Sequence, residues 1–145
     1  MAELTVELNW REWEFLEAVA DAQEISLEEA RSLGDALLVA VNTDASARRL
    51  QKGEGRPVNP EADRVRMLAA LAAVDRVVLF AEDTPLQIIT ALQPDILVKG
   101  GDYRLEEVAG REVVLARGGQ VLILPFQTGY STSRLLERLR LLWTT

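Results

Sequence analysis

The chain has 145 residues, of which 48% are hydrophobic and 27% charged, and its formal net charge is −7. This length suffices for one domain with a buried core, and the composition excludes a disordered or low-complexity chain. The sequence contains no cysteine and no histidine, which excludes disulfides, thiolate chemistry and histidine-based catalysis or metal binding. No apolar run approaches the roughly 18 residues of a membrane-spanning helix, and no secretion signal is evident, so we expect a cytoplasmic protein.

The negative charge is concentrated at the start of the chain. Residues 1–30 hold nine acidic residues and one basic residue, whereas the rest of the chain is nearly balanced. Two of the three tryptophans, Trp10 and Trp13, also lie in this acidic stretch. Because an acidic surface disfavours contacts with nucleic-acid phosphates, we expect no nucleic-acid partner.

The acidic stretch contains signals for one strand and one helix. Residues 4–8 alternate as a strand does, either as the first strand of a sheet or as an added edge strand. Residues 10–22 contain no glycine or proline and follow a capping box at 9–12, which predicts a helix. One side of that helix is apolar and includes Trp13, Phe15 and Leu16. Either this side packs against the sheet, or Trp10 and Trp13 are anchors for a protein partner.

From residue 36 onward, apolar runs alternate with helical patterns. The runs at 37–41, 77–80, 96–98 and 121–124 predict strands buried on both faces, as in a parallel sheet. Helices are predicted at about 60–73, 85–92, 107–117 and 132–142. Their boundaries are indicated by Asn59 before Pro60, by Thr84 before Pro85, by the pair Gly118-Gly119, and by Ser131. This alternation predicts an open, three-layer α/β sheet.

Polar and glycine-rich segments lie at 42–44 and 99–103, each after a predicted strand, and at 127–133, before the last predicted helix. Ligands bind at such carboxyl ends in α/β sheets. Basic residues also crowd around the loop 53–57: Arg48, Arg49, Lys52, Arg56, Arg64 and Arg66. They form either a phosphate pocket or ordinary ion pairs with the acids nearby, which are Asp44, Glu54, Glu61 and Asp63.

Several of these segments carry a family resemblance. They include Val-Asn-Thr-Asp at 41–44, Gly-Glu-Gly-Arg-Pro-Val-Asn-Pro at 53–60, Val-Lys-Gly-Gly-Asp-Tyr at 98–103 and Gly-Tyr-Ser-Thr-Ser at 129–133. Over residues 26–145 the chain closely resembles the adenylyltransferase domain of bacterial ADP-heptose synthase, in the cytidylyltransferase-like nucleotidyltransferase superfamily. The resemblance implies a single domain over 1–145 with a Rossmann-like, doubly wound, mostly parallel sheet. It also implies transfer of AMP from ATP to a sugar 1-phosphate with Mg²⁺.

The resemblance also assigns nucleotide-contacting residues. These are Lys99, Gly100, Asp102, Tyr130, Ser131, Thr132, Ser133 and Arg134, with Lys52 and Arg64 near the triphosphate. If the pocket still binds a nucleotide, the resemblance implies Mg-ATP as the cofactor. The sequence shows no cluster of metal ligands, and Asp44 and Asp102 would reach Mg²⁺ only through the bound triphosphate. The terminal apolar residues Leu139, Leu141, Leu142 and Trp143 pack either within the chain or in a homodimer.

The family's catalytic motif is missing. Members carry His-x-Gly-His at the start of the first helix, and its histidines stabilise the phosphoryl group that is transferred. When the match is continued without gaps from residues 27–31 toward the N-terminus, the four motif positions fall on Ala20, Asp21, Ala22 and Gln23. No catalytic residue is therefore assigned. We therefore predict a catalytically impaired or inactive domain whose segment 1–25 was rebuilt, by engineering. The alternatives are an active, divergent heptose 1-phosphate adenylyltransferase and a natural nucleotide-binding pseudoenzyme.

Overall fold

A computed structural model describes residues 3–7, 27–50, 55, 57–101, 104–124 and 132–143, with the backbone alone at 3–7 and 132–134. In this part of the chain one sheet contains β1 (Glu3–Glu7), β2 (Ala36–Asn42), β3 (Arg76–Phe80), β4 (Ile96–Gly100) and β5 (Gln120–Leu124). The strands are all parallel and lie in the order β3-β2-β1-β4-β5. This is the order of a doubly wound, Rossmann-like sheet, so the predicted fold class is confirmed.

Helices connect the strands and follow the last one. They are α1 (Leu27–Ser32), α2 (Asp44–Arg49), α3 (Glu61–Ala69), α4 (Leu86–Leu92), a 3₁₀ turn (Leu105–Glu107), α5 (Arg111–Ala116) and α6 (Thr132–Trp143). The four strands predicted from residue 36 onward are confirmed, each longer at its ends by up to two residues. None of the helices in the described ranges is long and apolar enough to cross a membrane.

The strand β1 lies in the middle of the sheet. It pairs with β2 on one side and with β4 on the other, so that Val6 is in register with Val39 and Val98. Residues 4–8 had two interpretations. The interpretation as the first strand of the sheet is confirmed, and the interpretation as an added edge strand is wrong. The acidic N-terminal stretch supplies the centre of the sheet.

The central strand β4 is buried on both faces. On β4, Val98 belongs to the cluster formed with α1 and α3, which includes Leu27 and Leu68. Its neighbour Leu97 belongs to the opposite cluster, formed with α4 and α5 and including Ile89 and Val114. Full burial of an aliphatic side chain stabilises the fold by about 1.5–3 kcal/mol. Successive residues of β4 alternate between the two clusters, which explains why this strand is continuously apolar.

Some predicted helix boundaries are wrong in detail. The N-cap positions of α3 and α4 are occupied by Pro60 and Pro85 rather than by Asn59 and Thr84. Neither helix has a side-chain hydrogen bond at its N-cap. The Asn59 carbonyl is used differently, because it accepts from Arg64 Nε at 3.2 Å. The helix α3 also ends four residues before the predicted position, because the chain must turn back to enter β3. By contrast, Gly118 ends α5 as predicted, with φ +81° and its N–H donating to the Leu115 carbonyl at 2.9 Å.

The predicted helix over 10–22, with Trp10 and Trp13, lies outside the described residues. The same is true of the predicted cap Ser131 and of the loop positions Lys52 and Arg56.

Candidate functional site

The direction of winding reverses between β1 and β4. From β1 the chain proceeds outward through β2 and β3, and it then returns to the other side of β1 to add β4 and β5. Ligands of such sheets bind at the carboxyl ends of the strands beside this reversal. Here β1 ends at Glu7, whose Cα is in register with that of Lys99. The backbone therefore places Lys99 at the position where a ligand is expected.

Lys99 is a buried cation near the carboxyl end of β4. Its side chain is only 6% exposed, and its backbone is paired with Glu7 in β1 and Ile123 in β5. Lysine is rarely buried, because removing an ammonium group from water is unfavourable. Its position beside the reversal of winding makes Lys99 a candidate for binding an anionic ligand. Its role as a nucleotide contact stays a prediction.

A glycine turn follows Lys99. Gly100 ends β4, and the next residue, Gly101, adopts φ +113° while its N–H donates to the Leu124 carbonyl at 2.9 Å. This backbone conformation is readily accessible to glycine alone. Neither glycine has a side chain, so no Cβ lies beside the backbone after Lys99, and both residues are buried. Asp102, the next predicted contact, lies outside the described residues.

The polar residues at the end of β2 are engaged with other parts of the protein. Asn42 Nδ2 donates to Ser46 Oγ at 3.0 Å, and Ser46 Oγ donates to the Glu82 carbonyl at 2.6 Å. Thr43 Oγ1 accepts from the Ser46 N–H at 3.2 Å and caps α2. These bonds tie the end of β2 to the loop after β3, so the three side chains have a structural role.

Arg64 is almost completely buried, with 1% of it exposed. Its Nη2 lies 2.7 Å from Asp44 Oδ1. Glu61 Oε2 in turn accepts from the Asp44 N–H at 2.6 Å, so a carboxylate already occupies the first N–H of α2. These contacts agree with the ion-pair interpretation of the basic cluster. A triphosphate contact by Arg64 stays a prediction, and it would have to compete with Asp44.

Two other arginines of the cluster also form ion pairs. Arg49 Nε lies 2.7 Å from Asp83 Oδ1, and its Nη2 donates to the Ala81 carbonyl. Arg66 Nη1 lies 3.7 Å from Asp63 Oδ1 on the surface. Sequence reasoning missed Asp83 as a partner, since nothing local connects residues 34 positions apart. It also missed α2, although Thr43 followed by Asp44 is a typical helix start.

The helix α6 begins at Thr132, so Thr132, Ser133 and Arg134 form its first turn. Such a turn presents free N–H groups to an anion, as the predicted phosphate contacts require. Only the backbone of these three residues is described. Tyr130 and Ser131, also predicted contacts, lie outside the described residues.

The described residues contain no group of three or more acidic side chains able to hold a metal ion. Asp44, one of the two carboxylates considered for Mg²⁺, is paired with Arg64. Binding of Mg²⁺ together with a triphosphate stays a prediction.

A separate cleft lies at the opposite edge of the sheet. It has a volume of about 450 Å³ and is lined by residues at the starts of β4 and β5, among them Asp95, Arg117 and Gly119. The Arg117 guanidinium donates there to Gln93 Oε1. Because the cleft is at the amino ends of the strands, it does not belong to the site at Lys99.

Known proteins resemble this chain in both sequence and fold. Residues 25–138 match the cytidylyltransferase-like family. The bifunctional protein HldE of Alkalilimnicola ehrlichii is 60% identical over 114 residues, which is 79% of this chain and 24% of that protein. HldE of Citrifermentans bemidjiense is 60% identical over 113 residues, 78% of this chain and 23% of that protein.

A solved structure shares the fold. The lipopolysaccharide core biosynthesis protein from Thermoplasma volcanium superimposes with a TM-score of 0.60 at 24% identity, over 88% of this chain and 97% of that one. The chain spans about a quarter of the length of the HldE proteins that it matches. The family match covers more than three quarters of the chain and includes Lys99 and Arg64. The chain therefore belongs to the cytidylyltransferase-like family.

Proposed function

We propose that this domain binds a nucleoside triphosphate on an adenylyltransferase scaffold related to HldE, and that its transfer of AMP to a sugar phosphate is impaired. The observation that carries the proposal is the complete absence of histidine from the sequence. The family resemblance assigns the transfer step to the two histidines of His-x-Gly-His.

The chemistry of the step explains why this loss matters. Phosphoryl and nucleotidyl transfer depend on positive charge and hydrogen-bond donors placed around the reacting phosphate. The positions matched to the motif hold Ala20, Asp21, Ala22 and Gln23, which offer one amide and one carboxylate. The carboxylate repels a triphosphate. Arg64 is a poor substitute, because its charge is balanced by Asp44 at 2.7 Å.

Binding depends on a different set of residues, most of which lie in the family-like body. Lys99 and the turn at Gly100 stand at the winding reversal. We expect the first turn of α6 to contribute N–H groups to the same ligand. The ammonium group of Lys99, the glycine backbone after it and the N-terminus of a helix are all features that favour binding of a polyphosphate. This combination supports ATP with Mg²⁺ as the ligand.

The N-terminal segment is where the chain departs from its family. The family match begins at residue 25, close to where the sequence resemblance begins. Nevertheless, β1 occupies the centre of the sheet, so the segment retains a strand there. These two facts support a segment that was replaced while the fold was preserved. Its origin by engineering stays a prediction.

The test is calorimetric titration with ATP and Mg²⁺, together with pyrophosphate release from ATP and heptose 1-phosphate on the same sample. The adenylyltransferase region of A. ehrlichii HldE serves as the active reference. We expect micromolar binding and turnover at least about 100-fold below the reference, the usual consequence of removing one transition-state donor. Turnover equal to the reference would establish the active, divergent enzyme, and an absence of binding heat would refute the nucleotide site.

A matched pair of variants locates the binding. Lys99→Met removes the buried cation at the carboxyl edge with little change in volume, and we expect it to weaken ATP binding strongly. Arg117→Met removes an exposed cation at the opposite edge, beside the separate cleft, and should leave the affinity unchanged. Equal effects of the two substitutions would contradict a site at Lys99.

A further inference from the structure

The strand β3 lies at one edge of the described part of the sheet. It pairs with β2 on one side and has no described strand on the other. The Thr43 N–H donates to the Phe80 carbonyl at 2.9 Å, so this carbonyl faces β2. Because backbone groups alternate in direction along a strand, those of Val77 and Leu79 face away from the sheet. An edge of this kind can pair with a further strand.

The edge formed by β3 carries few of the features that keep a strand from pairing. Residues 76–81 contain no proline and no lysine, and Arg76 is the one charged residue among them. The middle of this stretch is apolar, and Leu79 is 42% exposed although it lies within the strand. A strand placed alongside β3 would therefore remove an aliphatic side chain from water and satisfy backbone groups at the same time.

The two ends of this edge carry opposite charges. At the start of β3, Arg76 is exposed and enters none of the ion pairs formed among the described residues. Just beyond the other end, the Glu82 carboxylate accepts from the Ala81 N–H at 3.0 Å through Oε2. This N–H belongs to the outward-facing set of the strand, so Glu82 covers an edge donor with its own side chain.

We propose that β3 pairs with β3 of a second copy of this chain, antiparallel and around a two-fold axis at Leu79. This register places Leu79 opposite Leu79 of the second copy, so that their outward N–H and carbonyl groups exchange hydrogen bonds. It also places Val77 opposite Ala81 of the second copy. The Val77 carbonyl then accepts from that Ala81 N–H in place of Glu82, whose carboxylate is released toward Arg76 directly opposite it.

The charges of the edge favour a second copy as the occupant. In the antiparallel register Arg76 meets Glu82 at both ends, because a two-fold axis repeats every contact. A register shifted to place Val78 on the axis would oppose backbone groups that face β2, and it would bring Arg76 opposite the apolar Phe80. The edge is therefore complementary to itself in one register.

The interface is small. About seven residues of a strand, at roughly 3.3 Å each, supply less than the 800 Å² or so per partner that stable complexes bury. We therefore expect a reversible dimer with a dissociation constant between about 1 µM and 1 mM. Sedimentation velocity over this range of protein concentration measures it.

A matched pair of variants locates the interface. Leu79→Asp places two carboxylates against each other on the axis and should raise the dissociation constant at least about tenfold. Leu115→Asp is the control, because Leu115 is also 42% exposed but lies on α5, away from β3. It should leave the dissociation constant unchanged. Far-ultraviolet circular dichroism verifies that each variant is folded.

An exchange of charges tests the register. Arg76→Glu and Glu82→Arg each bring like charges together at both ends of the interface, and each should weaken the dimer. The double variant R76E/E82R restores opposite charges and should regain most of the lost affinity. A variant that is merely misfolded would not be rescued in this way.

A chain that remains monomeric at about 1 mM would overturn the proposal. So would a dimer that Leu79→Asp weakens no more than Leu115→Asp does, since the interface would then lie elsewhere. If the double variant R76E/E82R regains none of the affinity lost in the single variants, the register is wrong and the proposal fails with it. None of these outcomes depends on whether the domain binds nucleotide.

Discussion

Arg64 and Asp44 form an ion pair inside the protein, with Nη2 and Oδ1 2.7 Å apart. Arg64 lies on α3 and Asp44 begins α2, so the pair joins the starts of two helices that are separated along the chain by the loop 50–60. The Asn59 carbonyl and the Glu61 carboxylate complete the arrangement. These contacts join the segment that follows β2 to the start of α3.

We expect Asp44→Ala to lower the free energy of unfolding by about 3–5 kcal/mol, because it leaves the buried Arg64 without a counter-ion. Urea denaturation measures the loss. Asp63→Ala removes a partner of the exposed Arg66, 3.7 Å away, and should cost less than about 1 kcal/mol. Similar losses in the two variants would show that the Arg64 pair is no more important than a surface contact.

Ser46 is expected to be sensitive to a small change. Its hydroxyl group bonds both the Asn42 amide and the Glu82 carbonyl, and its side chain is fully buried. Ser46→Ala leaves these groups without their partner and should cost about 1–3 kcal/mol in thermal or urea unfolding. Thr90→Val is the control, since the Thr90 hydroxyl bonds the Leu86 carbonyl at an exposed position. A neutral Ser46→Ala would mean that water or a side-chain shift replaces the bonds.

The adjacent glycines after α5 should respond differently to alanine. At Gly119 a Cβ would lie 2.6 Å from the Asp95 carbonyl and 2.7 Å from Val114 Cγ1, so the backbone itself must move. At Gly118 nothing lies within 4 Å, and the penalty is that of φ +81°, about 1–2 kcal/mol. We expect Gly119→Ala to lower the melting temperature more than Gly118→Ala, and the reverse order would refute the close approach of β4 at this point.

Restoring the motif tests the proposed cause of impairment. The variant Ala20→His/Ala22→Gly/Gln23→His rebuilds His-x-Gly-His at the matched positions, with Asp21 between. If the missing donors limit transfer, pyrophosphate release should rise by about 100-fold or more while ATP affinity changes little. The same variant with asparagine in place of both histidines is the control. No increase over that control would show that more than the histidines has been lost.

The buried strands were predictable because their chemistry is local. Leu97 and Val98 face opposite clusters, and a strand covered on both faces must be apolar at every position. The residues of β1 alone did not determine its position in the sheet, because an alternating strand can lie either at the centre or at the edge. Neighbours in the sheet decided it, and these are distant along the chain.

The candidate site was predictable to a similar extent. The rule that ligands bind at carboxyl ends directed attention to Lys99 and Gly100, and the backbone places both beside the reversal of winding. The arginine cluster was ambiguous, because a phosphate pocket and a set of ion pairs require the same residue types. The three-dimensional arrangement adds that Arg64 lies against Asp44, which no local pattern indicates.

The central position of β1 has a consequence for how the domain assembles. In the described part of the sheet, β2 pairs with β3 and β4 pairs with β5, and Glu3–Glu7 lies between β2 and β4. These residues are synthesised before every other strand, yet their second neighbour, Ile96–Gly100, emerges some ninety residues later. During translation the first strand therefore gains its second neighbour only after residue 100 has left the ribosome. These few N-terminal residues therefore provide the backbone hydrogen bonds that join two pairs of parallel strands into one sheet.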